Sequence, residues 1–233
     1  MTDAPNQGAT PHAVVTGTSS GIGRAIAERL ISNGWTVTGL DRSPATIIDA
    51  RFRGIETDLA CTEGIPSTLE RITQVTALVH AAGFMRVGRL GELDPDDGAG
   101  MWRLHVDAAT ALANALAPRL PEGGRIVLIG SRTANGAPGR SQYAATKAAL
   151  VGMARSWAIE LAPRKITVNV IAPAATDTPF LRDPNRSGTE PVLPPMGRFV
   201  EANEVAALAA FLLSPEAGAI TGQQIVICAG ASL

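Results

Sequence analysis

Tyrosine occurs once in the 233 residues, as Tyr143, and the remaining aromatics are three tryptophans and five phenylalanines. Cysteine is almost as scarce. Cys61 and Cys228 stand far apart with no Cys-x-x-Cys or Cys/His cluster around them, so neither a disulfide framework nor a metal site is expected. An excess of one charge is also missing: 20 basic and 21 acidic residues leave a net charge of −1, too little for the clustered cations that nucleic acid or an anionic membrane selects. No stretch approaches the roughly 18 uninterrupted apolar residues of a membrane span. Met1 to Thr10 is polar and holds Asp3 rather than a basic patch and an apolar run, which argues against a secretory leader and makes the cytoplasm the expected compartment.

What is present is glycine (24), proline (16) and 45% hydrophobic residues, the mark of a chain with many tight turns and enough apolar surface for one large core. Short apolar runs alternate with longer helical patterns. Strands are predicted at Ala13 to Thr16, Thr36 to Leu40, Ala77 to His80, Arg125 to Ile129, Thr167 to Ile171 and Gln223 to Ile227. Helices are predicted at Arg24 to Ile31, Thr62 to Ile72, Gly98 to Leu116, Gln142 to Leu161 and Glu201 to Leu213. Strands this apolar are buried on both faces, so the fold class is α/β: a single-domain, doubly wound parallel sheet with helices on both sides. Residues 1–11 read as a flexible terminus. Pro179 to Arg198, dense in proline and glycine, reads as a loop or a pair of short helices forming a lid over a substrate.

The first chemical signal follows the first strand directly. Thr16-Gly17-Thr18-Ser19-Ser20-Gly21-Ile22-Gly23 is a glycine-rich turn that opens a helix. Such a turn lets the backbone approach a pyrophosphate closely and presents free amides at the positive end of the helix dipole, making Gly17, Ser20, Gly21, Ile22 and Gly23 candidate cofactor contacts. The Gly-x-x-x-Gly-x-Gly spacing is not the common dinucleotide fingerprint, and an ordinary glycine turn is the plain alternative. At the end of the second strand Asp41 is placed to accept hydrogen bonds from ribose hydroxyls and to repel a 2′-phosphate, which selects NAD. Its neighbour Arg42 is the argument for NADP, since a guanidinium there pairs with that phosphate.

The second signal joins Ser131, which follows a strand, to Tyr143 and Lys147, which are four residues apart and share a helix face. A fixed ammonium stabilises a phenolate and lowers the phenol's pKa from near 10, so the pair forms a candidate general acid/base. Ser131 is then placed to hold the reacting oxygen. A solvated Tyr/Lys helix face is the alternative, and the preceding cofactor-type half argues against it.

With Thr16-Gly17-x-x-x-Gly21-Ile22-Gly23, Asp58-Leu59, Ala81-Ala82-Gly83, Ser131, Tyr143-x-x-x-Lys147 and Pro173 with Thr178 in this order, the chain resembles the short-chain dehydrogenases/reductases from Val14 to Gly230. The resemblance implies that Tyr143 donates or accepts the proton, Lys147 holds the ribose and tunes Tyr143, and Ser131 orients substrate. It implies also that Asp58 and Leu59 flank the adenine, that Ala81, Ala82 and Gly83 pass the ribose, that Thr176 and Thr178 belong to the cofactor site with Thr178 at the carboxamide, and that the protein is a homodimer or homotetramer joined through its two longest helices.

The chain departs from the family pattern at three places: His80-Ala81-Ala82-Gly83 stands for Asn-Asn-Ala-Gly, Ala174 replaces a glycine, and His105 stands where a helical asparagine relays protons, Asp107 being the alternative at a shifted alignment. His105 then either substitutes in the relay or packs. His12 reads as a surface or edge residue. Phe84, Met85, Val87, Phe180, Leu181 and Met196 are candidates for an apolar substrate pocket, and Arg182, Arg186 and Arg198 are either anion-binding or solvated. The function expected is an NAD-dependent oxidoreductase that interconverts a secondary alcohol and a ketone on a small or medium substrate. An NADP-dependent carbonyl reductase and a non-catalytic NAD(H) sensor are the alternatives.

Overall fold

The computed structural model describes residues 10–186 and 191–233. Seven parallel strands form the central sheet: β1 His12–Thr16, β2 Thr36–Asp41, β3 Phe52–Glu56, β4 Ala77–His80, β5 Arg125–Ile129, β6 Thr167–Pro173 and, after two short strands described below, β9 Gln224–Ile227. Their order is β3-β2-β1-β4-β5-β6-β9. The chain first builds outward from β1 to β3 and then restarts on the other flank at β4, so a crevice opens beyond the C-terminal ends of β1 and β4. In a doubly wound sheet that switch point is where ligands bind.

Alternation along each strand divides the core in two. Val14, Leu78, Ile126, Leu128, Val168 and Val170 face one side, where they meet Leu69 of α2 (Ile65–Glu70), Leu112 and Leu116 of α4 (Ala108–Leu116) and Leu150 of α5 (Ser141–Leu161). Ala13, Val15, Val79, Val127, Ile129 and Ile171 face the other, against Ile26 and Leu30 of α1 (Gly21–Ser32) and Val205 and Leu212 of α6 (Ala202–Leu213). Successive residues Ala13, Val14 and Val15 of β1 thus serve opposite cores, which requires an apolar side chain at each of these central positions. Among the described residues, no helix is long and apolar enough to cross a membrane.

The structure differs from the sequence expectation at several elements. Phe52–Glu56 is a strand, unforeseen because Phe-Arg-Gly-Ile-Glu is polar; as the sheet edge it packs on one neighbour only, β2. The helix expected over 62–72 is a 3₁₀ turn at Thr62–Gly64 followed by the short α2, with Pro66 in its first turn. The helix expected over 98–116 begins earlier, at Pro95, capped by the Asp94 carboxylate accepting from the Asp96 amide (2.8 Å), and is interrupted. Helix α3 (Pro95–Trp102) passes through a π-helical turn at Arg103–Asp107 before becoming α4. Two-residue strands β7 (Thr176–Asp177) and β8 (Val200–Glu201) pair with each other and bracket the expected lid, whose described residues include 3₁₀ turns at Pro179–Arg182 and Pro184–Arg186. Residues 187–190 of that lid and 1–9 of the expected flexible terminus lie outside the described residues, while the Pro11 carbonyl already accepts from the Thr36 amide (3.0 Å).

The π turn sits beside a buried polar junction. Thr16 Oγ1, at the end of β1, accepts from the amides of Ala81 and Ala82 (2.9 Å each). Its own proton is therefore directed to His80 Nδ1 (3.1 Å), and His80 Nε2 donates to the Leu104 carbonyl within the π turn (3.1 Å). A carbonyl can only accept, so the ring is the neutral Nε2–H tautomer. His80 thereby ties β1, β4 and the π turn together where an asparagine was expected. Burial, reinforced by the Lys147 charge, depresses its pKa from 6.5 to about 3. Between those values the unfolded chain binds a proton that the folded chain refuses, so this contribution is full above pH 6.5 and is lost as pH falls through the folded value. Unfolding measured from pH 7 to 4 is expected to show the wild type losing on the order of 3 kcal/mol relative to His80→Asn. Parallel stability curves for the two proteins would contradict this.

Candidate active site

The glycine-rich turn is held by contacts that exclude side chains. Gly17 and Gly21 have φ of +74° and +57°, in the left-handed region that favours glycine. A Cβ on Gly17 would stand 3.0 Å from the Ala82 backbone, and one on Gly23 would stand 2.2 Å from the Gly17 carbonyl oxygen. The turn therefore lies flat against Ala81 and Ala82, leaving the first amides of α1 facing the crevice. A Cβ on Gly21 would be 3.6 Å from the Thr178 side chain, so Thr178 closes the turn from the opposite side.

A cavity of about 920 Å³ occupies the crevice. All seventeen site residues expected from sequence border it, from Asp41, Arg42, Asp58 and Leu59 at one end to Ser131, Tyr143, Lys147, Thr176 and Thr178 at the other. Its size, near the upper end for ligand pockets, suits a dinucleotide with a small second molecule. The Asp41 carboxylate accepts from the amides of Ser19 and Ser43 (2.9 Å each), which fixes it at the end of β2. Arg42 beside it is exposed. A dinucleotide fits the residues present: amides at a helix N-terminus for phosphates, a carboxylate for ribose hydroxyls, and backbone approach permitted by glycine. Ala174 occupies its glycine position without strain: it is absent from the described residues with positive φ, and its amide donates to Ile227 (2.9 Å).

The opposite end of the cavity, with the candidate catalytic residues, is built by β5 and the first turns of α5. Ser131 follows β5 and accepts from the Thr133 amide (3.1 Å), while its hydroxyl is hydrogen-bonded to Tyr143. Lys147, one helical turn beyond Tyr143, is buried; its Nζ donates to the Ile129 carbonyl at the end of β5 (2.9 Å) and lies 5.8 Å from the Tyr143 ring centre. Burial lowers the Lys147 pKa from 10.5 to about 7. The expectation that Lys147 lowers the Tyr143 pKa is corrected here. Burial dominates and raises the phenol above 10, opposed by the Ser131 hydrogen bond and the Arg186 and Arg140 charges. At neutral pH the phenol carries its proton.

His105 rather than Asp107 faces this site, since Asp107 is exposed and His105 is fully buried with its ring edge-on to Tyr143, centres 5.7 Å apart. Its Nε2 accepts from the Phe84 amide (3.2 Å), so in the neutral ring Nδ1 donates to Thr146 Oγ1 (2.8 Å), which donates to the Tyr143 carbonyl (2.9 Å). Burial and the nearby Lys147 charge hold His105 neutral. Both ring nitrogens are engaged, by the Phe84 amide and by Thr146, so His105 packs against Tyr143 and helps to fix its backbone. Thr146, missed in the sequence, has no signal there beyond its place one residue before Lys147.

Of the expected apolar pocket, Phe84, Met85, Phe180 and Leu181 line the cavity. Val87 instead packs behind Met85 and Met101, and Met196 is exposed. The three lid arginines separate cleanly. Arg182 pairs with Asp177 (2.6 Å) and Arg198 with Glu204 (2.7 Å), both on the surface, whereas Arg186 is buried in the cavity wall. Arg140, unforeseen, lines the same wall; its place three residues before Tyr143, at the start of α5, was the available signal. His12, expected as a surface or edge residue, stands half-buried at the start of β1 and bonds Thr73 and Thr38. Among the described residues no cluster of three or more His, Cys, Asp or Glu can hold a metal.

Residues 17–232 match the family model described as enoyl-(acyl carrier protein) reductase. The chain is 36% identical to the 3-oxoacyl-[acyl-carrier-protein] reductase FabG of Salmonella typhimurium over 234 aligned positions, covering 94% of this chain and 96% of that protein. Among solved structures it is similar to the Brucella melitensis 3-ketoacyl-(acyl-carrier-protein) reductase complexed with NADH, with a TM-score of 0.86 at 28% identity over 96% of this chain and 98% of that one. It is equally similar to a Burkholderia cenocepacia short chain dehydrogenase in complex with NADP, with a TM-score of 0.85 at 33% identity and the same coverage. With the seven-stranded parallel sheet, the glycine turn and the Ser131, Tyr143 and Lys147 constellation in one cavity, these likenesses show that the chain belongs to the short-chain dehydrogenase/reductase family of oxidoreductases.

Proposed function

We propose that the protein interconverts a ketone and a secondary alcohol, with Tyr143 as the proton-transferring residue and NAD(H) as its preferred cofactor. The observation that carries this reading is the convergence of Ser131, Tyr143 and Lys147 on one wall of the cavity whose far end is the glycine turn. Gly17, Ser20 to Gly23, Asp41, Asp58, Leu59, Ala81 to Gly83, Thr176 and Thr178 would hold the dinucleotide. When bound, its nicotinamide supplies or takes up a hydride.

The side chains do the rest. Burial keeps the phenol of Tyr143 protonated at neutral pH, which suits it to donate to a carbonyl oxygen. The Ser131 hydroxyl, already bonded to that phenol, holds the same oxygen in line with it. Lys147, with a pKa near neutrality, carries a partial positive charge at the reacting end and is held by the Ile129 carbonyl. His105, through Thr146, fixes the backbone at Tyr143.

The preference for NAD rests on Asp41, whose carboxylate is fixed by two amides, while Arg42 is exposed beside it. The two solved relatives hold NADH and NADP, so this chain's own carboxylate carries the argument. Assembly as a homodimer or homotetramer is part of the proposal. It is supported by exposed Trp102 on α3 and Ile159 on α5, at 43% and 77% exposure, on the two segments expected to form the interface. A cytoplasmic setting agrees with two free cysteines.

Two measurements follow. A panel of ketones and alcohols followed at the NADH absorbance is expected to show turnover that Tyr143→Phe lowers about 10²- to 10⁴-fold while NADH binding persists. Full turnover in that variant would remove Tyr143 from the mechanism. Dissociation constants for NADH and NADPH are expected to favour NADH, with Asp41→Ala narrowing the gap. Tighter NADPH binding by the wild type would overturn the reading of Asp41.

A further inference from the structure

At the glycine-turn end of the cavity, the loop between β2 and β3 folds back onto the turn, and Ser19 is where the two are joined. Its amide donates to Asp41 Oδ2 (2.9 Å) and its carbonyl accepts from Thr46 Oγ1 (3.0 Å). Its hydroxyl proton is shared between the carbonyls of Ser43 and Pro44 (3.0 Å each). The Ser43 amide in turn donates to Asp41 Oδ1 (2.9 Å). Asp41, Ser19 and Ser43 thus close a ring of hydrogen bonds in which each residue holds the other two, and all three border the cavity together with Arg42.

Residues 42–46 of this loop are exposed, so burial does little to fix them and local contacts decide their conformation. Ala45 is seated against β3, where a Cβ on Gly54 would stand 2.6 Å from its own Cβ, and the remaining ties run to Ser19. The consequence falls on Asp41. A carboxylate offers about four acceptor positions, and two are filled here by the Ser19 and Ser43 amides, leaving a fixed pair for the two hydroxyls of a ribose. Without the loop in place the Ser43 amide would be withdrawn, the carboxylate would turn about its side-chain bonds, and the Arg42 guanidinium beside it would be free to meet a 2′-phosphate.

We propose that Ser19 sets the cofactor preference as a positioning residue that acts through Asp41. Its hydroxyl draws the β2–β3 loop onto the glycine turn, and the Ser43 amide then locks the carboxylate in the orientation that accepts ribose hydroxyls and opposes a 2′-phosphate. This deepens the NAD(H) reading and rests on it. A carboxylate at the end of β2 discriminates by its charge wherever it points, whereas a clasped carboxylate discriminates by direction as well.

Dissociation constants for NADH and NADPH, read from nicotinamide fluorescence, test this without any substrate. The wild type is expected to bind NADH more tightly. Ser19→Ala keeps the amide and removes the hydroxyl, and is expected to shrink the NADH preference about three- to tenfold, chiefly by weakening NADH. Thr46→Val is expected to shrink it less, and Ser19→Thr, which retains a hydroxyl, to restore most of it. With Asp41→Ala already present, adding Ser19→Ala is expected to leave the preference unaltered, because no carboxylate remains to be oriented. General loosening of the turn would weaken both cofactors alike, so a preference indifferent to Ser19→Ala and Thr46→Val would overturn the clasp and leave the reading of Asp41 standing. An equal shift with and without the Asp41 carboxylate would likewise overturn it, by giving Ser19 an effect of its own. Tighter NADPH binding by the wild type would bring down both.

Discussion

A lysine ammonium enclosed at the end of β5 is the constraint around which one end of the cavity is arranged. Lys147 is 5% exposed and its Nζ reaches the Ile129 carbonyl (2.9 Å), which meets part of its need for hydrogen bonds while burial pulls its pKa to about 7. A cation held so deep makes any second cation nearby expensive. Both neighbouring histidines are held neutral first by their own burial and then by that charge. His80 and His105 are neutral, each with one ring nitrogen donating and one accepting, and each serves to bind two segments of chain together. The polar junction beneath the cavity is consequently fully hydrogen-bonded at these groups, which is what a buried network needs to be rigid.

The two ends of the cavity follow different rules. At the glycine turn, backbone atoms and a fixed carboxylate do the work, and side chains are excluded by contacts as short as 2.2 Å for a hypothetical Cβ at Gly23. At the other end, side chains from β5, α5 and the lid converge, and their ionisation is governed by burial. The π turn at Arg103–Asp107 joins the two, because it presents His105 toward Tyr143 and the Leu104 carbonyl toward His80 in the same few residues.

Much of this was legible in the sequence, for physical reasons that differ by element. The turn after β1 could be read because only glycine meets its backbone demands, and β1, β4, β5 and β6 because strands buried on both faces are mostly apolar along their length. Strand β3 could not, since an edge strand with one partner tolerates Arg53 and Glu56. The π turn left no trace, for its cause is tertiary: His80 and His105 take their partners from segments distant in sequence. The sign of the Tyr143 shift was misread because spacing on a helix places Lys147 near the phenol but does not reveal that the phenol is buried, and its burial outweighs the Ser131 hydrogen bond and the Arg186 and Arg140 charges. Arg186 could not be told from Arg182 and Arg198 because all three sit in one proline-rich segment, and only packing separates them.

Tyr143 is the sole tyrosine, so phenolate absorbance reports on it alone. The most direct test of the arrangement is a spectroscopic pH titration of the protein free of cofactor. Ionisation above pH 10 is expected, because desolvation of the phenol exceeds the combined pull of Ser131, Arg186 and Arg140. A midpoint at or below 10 would contradict a buried, protonated phenol as the donor at neutral pH.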